Sequence, residues 1–175
     1  MREAWEAGAR WFILGVGVVV EYVSPTFGRL SFEEMFRALV AFVQEEPERP
    51  YHLIVGTDSV VADQTCFVTA IVIHRVGHGA RYFYRKQYNR KITSLRQRIL
   101  YEAALSLEVA LRLSSALAHN GYAQLPIEIH LDVGDRGETK SVIREVVGMI
   151  TGSGYAARTK PEAYVATKVA DRHSK

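Results

Sequence analysis

Two aspartates follow short apolar runs that are typical of buried strands. Asp58 follows residues 53–57, and Asp132 lies near the end of residues 126–133. An ionised carboxylate beside a buried strand is costly unless it is paired, hydrogen-bonded or bound to a metal. Ligands of α/β sheets also bind at strand ends. We therefore predict that both aspartates belong to a functional site. The alternatives are a turn cap for Asp58 and an ordinary polar-face position for Asp132.

Two further acids lie on segments that the spacing of apolar residues predicts to be helical. Glu102 lies on a largely apolar stripe of a long helix, which makes it a candidate site residue, although Arg98 four residues earlier also suits a simple salt bridge. Glu108, on a neighbouring stripe, is the alternative to Glu102. Asp171 lies in the last turn of the last predicted helix, where its charge opposes the helix dipole by roughly 0.3–1 kcal/mol. Neighbouring basic residues or a divalent cation would offset that cost.

Four acids of this kind suit a hard cation such as Mg²⁺ or Mn²⁺, because such ions prefer oxygen ligands. Two ions about 3.5–4 Å apart activate a water and stabilise the leaving oxygen of a phosphodiester. This chemistry needs no Ser, Cys or His nucleophile. The acids therefore predict a two-metal phosphodiesterase.

A basic segment lies between these acids. Residues 64–101 contain no Asp or Glu, although the whole chain of 175 residues has a net charge of only +3. A long segment of one sign predicts an anionic partner, with nucleic acid (RNA, DNA or a hybrid) as the leading candidate. A solvated basic edge is the alternative. The predicted nucleic-acid contacts, which alternate with aromatic residues able to stack on bases, are Arg81, Arg85, Lys86, Arg90 and Lys91.

The elements that would position these residues follow the order helix, three strands, helix, strand, helix, strand, helix. Ser31 and Glu34 predict a capping box at the start of the first helix. Short links join the strands predicted at 53–59, 65–76 and 80–88, which indicates an antiparallel meander. We predict an α/β fold whose mixed five-stranded sheet combines this meander with parallel strands and carries helices on both faces. Residues 24–28 are predicted to be a loop.

We predict a single domain over residues 24–175, preceded by an N-terminal extension or docking segment over residues 1–23. Residues 11–20 are apolar, but this run of ten is shorter than the roughly 20 residues of a membrane span. We therefore expect no membrane attachment. Cys66 is the only cysteine, which is typical of a reducing compartment, and we predict a cytoplasmic location.

Four motifs follow one another along the chain: GTDS (56–59), YEAALSLEVA (101–110), IHLDVG with GETK (129–134 and 137–140), and KPEAYVATKVADRHSK (160–175). Together with SPTFGRLSFEEMF (24–36), they resemble the YkuK-type ribonuclease H-like family of bacteria, whose members are described as predicted RNase H-related nucleases. The resemblance covers roughly residues 24–175. It implies a ribonuclease H-like fold and a metal-dependent nuclease.

The resemblance also implies roles for the four acids. Asp58 stands for the first-strand acid, Glu102 for the helix acid, Asp132 for the fourth-strand acid and Asp171 for the final-helix acid. In the two-ion hypothesis Asp58 bridges both ions. Asp132 and Glu102 hold one ion each, and Asp171 completes the second site.

Three further residues are alternatives or additions to these predicted site residues. Glu108 stays an alternative to Glu102, because Glu102 and Asp132 are 30 residues apart and Glu108 gives a tighter spacing. His173 is either a proton shuttle beside Asp171 or a terminal surface histidine. Lys140, in the GETK motif, is added to the predicted nucleic-acid contacts.

Two other classes of function are alternatives to the predicted nuclease. A non-catalytic nucleic-acid-binding protein with the same fold would bind in a salt-dependent way without cleavage or a metal requirement. A nucleotide-dependent kinase or ATPase is disfavoured, because such proteins need two domains of this type. Residues 134–140 (GDRGETK) also lack the residue order of a phosphate-binding P-loop.

Overall fold

The computed structural model describes residues 21–133, 140–163 and 165–174, so the apolar segment 11–20 lies outside the described residues. The strands are β1 (Tyr22–Ser24), β2 (Gly28–Leu30), β3 (Tyr51–Val61), β4 (Thr65–Arg75), β5 (Ala80–Asn89), β6 (Ile127–Leu131) and β7 (Ala156–Arg158). The helices are α1 (Phe32–Glu45), α2 (Leu95–His119), α3 (Lys140–Gly152) and α4 (Val165–Ser174).

The strands form one mixed sheet in the order β2-β1-β5-β4-β3-β6-β7. The predicted antiparallel meander of β3, β4 and β5 is confirmed, and β6 and β7 add parallel strands beside β3. The predicted number of five strands is wrong, since the sheet has seven. The two additional strands, β1 and β2, form a hairpin at the edge of β5. They contain three residues each, which is too short to show the alternation that identifies a strand.

The hairpin of β1 and β2 surrounds the segment that was predicted to be a loop. Ser24 ends β1, and Gly28 begins β2 with a φ of +74°, a conformation that glycine adopts without steric cost. Tyr22 is fully buried in the core below this hairpin. The predicted domain boundary after residue 23 therefore falls within β1.

The sheet is covered on both faces, as predicted. Alternate strand residues such as Leu53, Val55 and Phe83 pack into one large core with α1, α2 and α3. The residues between them, such as Ile54 and Val72, pack in smaller clusters against α4. No helix in the described part of the chain is long and apolar enough to cross a membrane.

The start of α1 carries the predicted capping box. The Ser31 hydroxyl accepts a hydrogen bond from the Glu34 backbone N–H, and the Glu34 carboxylate accepts one from the Ser31 backbone N–H. These two bonds satisfy N–H groups that would otherwise lack partners at the helix start.

Candidate acidic site

The parallel pairing of β3 with β6 brings two of the predicted aspartates side by side. The last pair in the register is Thr57 opposite Leu131, and the residues that follow this pair along the chain are Asp58, within β3, and Asp132, directly after β6. Aligned residues of neighbouring parallel strands point to the same face, and the strands lie about 4.8 Å apart. Asp58 lies within β3 and not at its end as predicted, because the antiparallel pairing with β4 continues to Val61.

Burial raises the pKa of Asp58 above its ordinary value, and the nearby charges of Asp132 and Asp171 raise it further. A hydrogen bond from the Ser59 backbone and the Lys160 charge act in the opposite direction. Asp58 therefore lies within electrostatic reach of two other predicted site acids.

Helix α4 carries Asp171 towards Asp58. The helix crosses β3 at Gly56, where an added Cβ would lie 3.0 Å from the Ala166 Cβ and 3.0 Å from the His130 carbonyl oxygen. From this crossing, Asp171 lies about 7.5 Å further along the helix. Asp58 lies about 7 Å further along the strand. The absent side chain at residue 56 thus lets α4 approach closely enough for Asp171 to influence Asp58.

The residues on either side of Asp58 contact α2 on the opposite face of the sheet. The Thr57 hydroxyl is 2.8 Å from the Ser106 hydroxyl, and the Ser59 hydroxyl donates a 2.6 Å hydrogen bond to Glu102 Oε1. Strand alternation therefore directs the aspartate of the GTDS motif towards α4 and its two flanking hydroxyls towards α2.

Glu102 is close to the aspartates although it comes from the other helical layer. Burial raises its pKa to about 8, and the charges of Asp58 and Asp132 contribute to the increase. The hydrogen bond from Ser59 and the positive charge of Arg98 oppose it. With this pKa Glu102 carries a proton at neutral pH, chiefly because its carboxyl is buried and to a smaller extent because two aspartates lie nearby.

The alternative acid, Glu108, lies elsewhere on α2. Its Oε1 is 3.0 Å from Nη2 of the buried Arg85, and its own side chain is 60% exposed. The structure brings Glu102 to the aspartates and places Glu108 in an ion pair with β5.

Sequence reasoning missed Lys160, which lies just after β7. Its Nζ is 2.6 Å from Asp132 Oδ1, and its backbone N–H donates to the Val133 carbonyl oxygen. Contact with Asp132 raises the pKa of Lys160, and the charges of Asp58 and Asp171 raise it further. The Lys160 ammonium therefore pairs with one carboxylate and lies within electrostatic reach of two others. A loop residue has no periodicity, so the place of Lys160 in the motif at 160–175 is the one signal that could have identified it.

His173 packs on β5 beside the end of α4. Its ring stacks on Tyr84 with the centroids 3.9 Å apart, and its Nε2 lies 3.4 Å from the Tyr82 hydroxyl oxygen. Burial lowers the pKa of His173, and the charges of Arg172 and Lys86 lower it further. These contacts attach the last turn of α4 to the sheet.

Two of the predicted nucleic-acid-binding cations are used inside the fold. Arg81 pairs with Glu45, and the buried Arg85 pairs with Glu108. Lys140 begins α3, but its side chain lies outside the described residues. The other three cations are exposed: Lys86, Arg90 and Lys91.

Comparison with known proteins places this α/β architecture in a family. A family model described as ribonuclease H-like matches residues 34–175. The chain belongs to the ribonuclease H-like family. It is also 38% identical, over 159 residues, to the uncharacterized protein YkuK of Bacillus subtilis (strain 168), and the match covers 84% of this chain and 92% of that protein. The predicted YkuK-type resemblance is confirmed. No solved structure matches the chain.

Membership of the ribonuclease H-like family indicates a nuclease-type or nucleic-acid-related function. Proteins of this family often use Mg²⁺. The four carboxylates suit such an ion by donor type, since they supply oxygen ligands. Burial, together with the charges of neighbouring acids, raises the pKa values of Asp58 and Glu102. However, within residues 21–133, 140–163 and 165–174 no three Asp, Glu, His or Cys side chains are arranged to hold a metal ion. Binding of one ion by three or more of these side chains would therefore require them to rearrange.

Proposed function

We propose that this ribonuclease H-like chain is a metal-dependent nuclease that hydrolyses phosphodiester bonds of RNA, DNA or RNA/DNA hybrids. The supporting observation is the proximity of three acids: Asp58 and Asp132 follow the last paired residues of β3 and β6, and Ser59, next to Asp58, donates a 2.6 Å hydrogen bond to Glu102. Carboxylates that converge in this way repel one another, so packing alone does not account for them. A hard divalent cation would relieve the repulsion.

The chain's own residues would have distinct tasks. Asp58, Glu102, Asp132 and Asp171 would hold the ions of a two-ion site with Mg²⁺ or Mn²⁺, which would supply an activated water and stabilise the leaving oxygen. Ser59 orients the Glu102 carboxylate through its 2.6 Å hydrogen bond and favours its ionised form. The phosphate backbone would be attracted by the exposed Lys86, Arg90 and Lys91.

Hydrolysis of labelled RNA, DNA and hybrid strands with Mg²⁺ or Mn²⁺ tests this proposal. We expect Asp58→Asn to reduce cleavage by at least about a hundredfold, because metal-supported charge stabilisation is worth several kcal/mol. Asp63→Asn is the matched control, since Asp63 is exposed in the turn between β3 and β4. Equal cleavage by the wild type and Asp58→Asn would contradict the proposal.

A non-catalytic nucleic-acid-binding protein is the second candidate. The ion pair between Lys160 and Asp132 favours it, because the ammonium already neutralises one of the acids. Calorimetric titration with Mn²⁺ separates the two candidates. Binding by the wild type that is lost in Asp58→Asn supports the nuclease. Salt-dependent binding of nucleic acid with no metal binding supports the second candidate.

A further inference from the structure

A cavity of about 470 Å³ lies between the end of β5 and the first turns of α2. Its volume falls in the range of small-ligand pockets, roughly 300–1,000 Å³. Arg90 and Lys91 line it, and among the residues that the structure describes none of those lining the cavity is acidic. A positive lining without a compensating carboxylate favours an anionic ligand.

An aromatic ring forms part of the cavity wall. Tyr101 lines the cavity and is 43% exposed. Its ring is stacked on the buried Phe67, with the centroids 5.5 Å apart and the planes inclined by 27°. Phe67 thus holds one face of the tyrosine ring in place, and the ring can offer its other face to a planar ligand. Proteins hold unpaired bases by such stacking.

The polar lining suits the edge of a base. Asn89 and Gln97 line the same cavity, and each carries an amide that can both donate and accept hydrogen bonds. Asn89 Oδ1 already accepts a 2.8 Å hydrogen bond from the Arg90 backbone N–H, which leaves its NH₂ group as a donor. Cations, amides and one supported aromatic ring are the groups that recognise the phosphate, edge and face of a nucleotide.

The cavity adjoins the acidic site along α2. Gln97 and Tyr101 line the cavity, and the residues that follow them, Arg98 and Glu102, both contact the Ser59 hydroxyl. Successive residues of an α-helix point about 100° apart. The cavity and the acidic site are therefore on adjacent faces of the same turns of α2.

We propose that this cavity binds one unpaired nucleotide of the substrate strand, with the base on Tyr101 and the phosphates near Arg90 and Lys91. The proposal rests on the proposed function and specifies its substrate class. A base that is paired within a duplex must leave its stack to reach such a ring, at a cost of a few kcal/mol. The preferred substrate is consequently a single strand or a duplex with an unpaired end.

Fluorescence anisotropy with labelled oligo-dT, oligo-U and a blunt duplex tests the inference. The measurements are made in a chelator, so that binding is observed without cleavage. We expect Tyr101→Ala to weaken single-strand binding by about five- to a hundredfold, the range that removal of one stacking ring produces. Tyr101→Phe keeps the ring and should bind as the wild type does. Leu111→Ala is the matched control, since Leu111 is 55% exposed on the same helix and lies outside the cavity.

A double variant, Arg90→Ala with Lys91→Ala, keeps the test decisive if Tyr101→Ala fails to fold. We expect it to weaken single-strand binding and to lower the salt dependence by about 0.7 in the logarithmic slope per lost phosphate contact. An unchanged slope and affinity would overturn the inference.

The remaining outcomes are also distinct. Tighter binding of single strands than of duplex, lost in Tyr101→Ala and kept in Tyr101→Phe, supports the inference. Any of three results overturns the inference: equal binding of single strands and duplex, equal affinities of the wild type and Tyr101→Ala, or no binding by the wild type. Cleavage is measured separately with Asp58→Asn. Tyr101-dependent binding without any cleavage would support the cavity and contradict the nuclease.

Discussion

Replacement of Glu102 by glutamine should stabilise the metal-free protein at alkaline pH. The pKa of Glu102 is raised from 4.5 to about 8, chiefly by burial. In the unfolded chain this carboxyl loses its proton near pH 4.5, whereas in the folded protein it keeps the proton up to about pH 8. Between these values the folded state binds more protons, so the free energy of unfolding decreases as the pH rises.

The size of the effect follows from the same two pKa values. At about 1.36 kcal/mol per pH unit, the interval from 4.5 to 8 corresponds to a loss of ~5 kcal/mol, complete by about pH 9. Glutamine has a similar shape, does not ionise, and can still accept the hydrogen bond from Ser59. The variant should therefore match the wild type near pH 4 and be more stable by about 3–5 kcal/mol at pH 9. For a chain of this size that difference is about 6–20 °C in Tm.

Urea unfolding followed by circular dichroism, in a chelator and across this pH range, measures the difference. Glu48→Gln is the control, because Glu48 is an exposed acid in the loop after α1. Its stability should follow that of the wild type at every pH. If the free energy of unfolding depends on pH in the same way for the wild type and Glu102→Gln, the reasoning is refuted. That result would mean that the Glu102 carboxyl ionises as it does in water.

Two further changes test the packing and the charge balance of the site. Gly56→Ala places a Cβ 3.0 Å from the Ala166 Cβ and should lower the free energy of unfolding by about 1–3 kcal/mol in urea. Gly148→Ala is the control, since Gly148 lies in a helix and an added Cβ meets nothing within 4 Å, and it should raise the free energy of unfolding by up to about 1 kcal/mol. A similar increase for Gly56→Ala would contradict the close approach of α4. Lys160→Met removes the ammonium 2.6 Å from Asp132 and should tighten Mn²⁺ binding by up to about fivefold in calorimetry, since a half-exposed ion pair is worth about 0.2–1 kcal/mol. Weaker binding would show that Lys160 does not compete with the ion.

The long elements could be predicted from the sequence because their patterns are long. The strands of the meander contain ten or eleven residues each and α2 contains 25, so the β-branched and aromatic runs of the strands and the helical spacing of α2 are long enough to recognise. The strands β1 and β2 were missed because they exist only through their pairing with each other and with β5. Pairing of this kind is a tertiary property that a three-residue segment does not encode by itself.

The site was predictable to a different degree for each residue. Asp58 and Asp132 were suspected from their apolar surroundings, but their adjacency depends on the register of β3 with β6. Glu102 and Glu108 lie on the same helix, and only the contact of Glu102 with Ser59 places it beside the aspartates. Lys160 lies in a loop and meets Asp132 only after the chain has folded, so it shows no periodicity and only its place in the motif at 160–175 could have indicated it.

The helices that carry the site acids on the two faces of the sheet pack in apolar clusters of different size. Glu102 is carried by α2, which belongs to the large core, whereas Asp171 is carried by α4, whose described side chains pack in two small clusters. Regions with few buried apolar contacts open locally at a lower free energy than the core. We therefore expect the backbone amides of α4 to exchange hydrogen for deuterium faster than those of α2. A transient opening of α4 would separate Asp171 from Asp58 while the rest of the fold stays intact. The free energy of this local opening would therefore determine how long the four acids stay together.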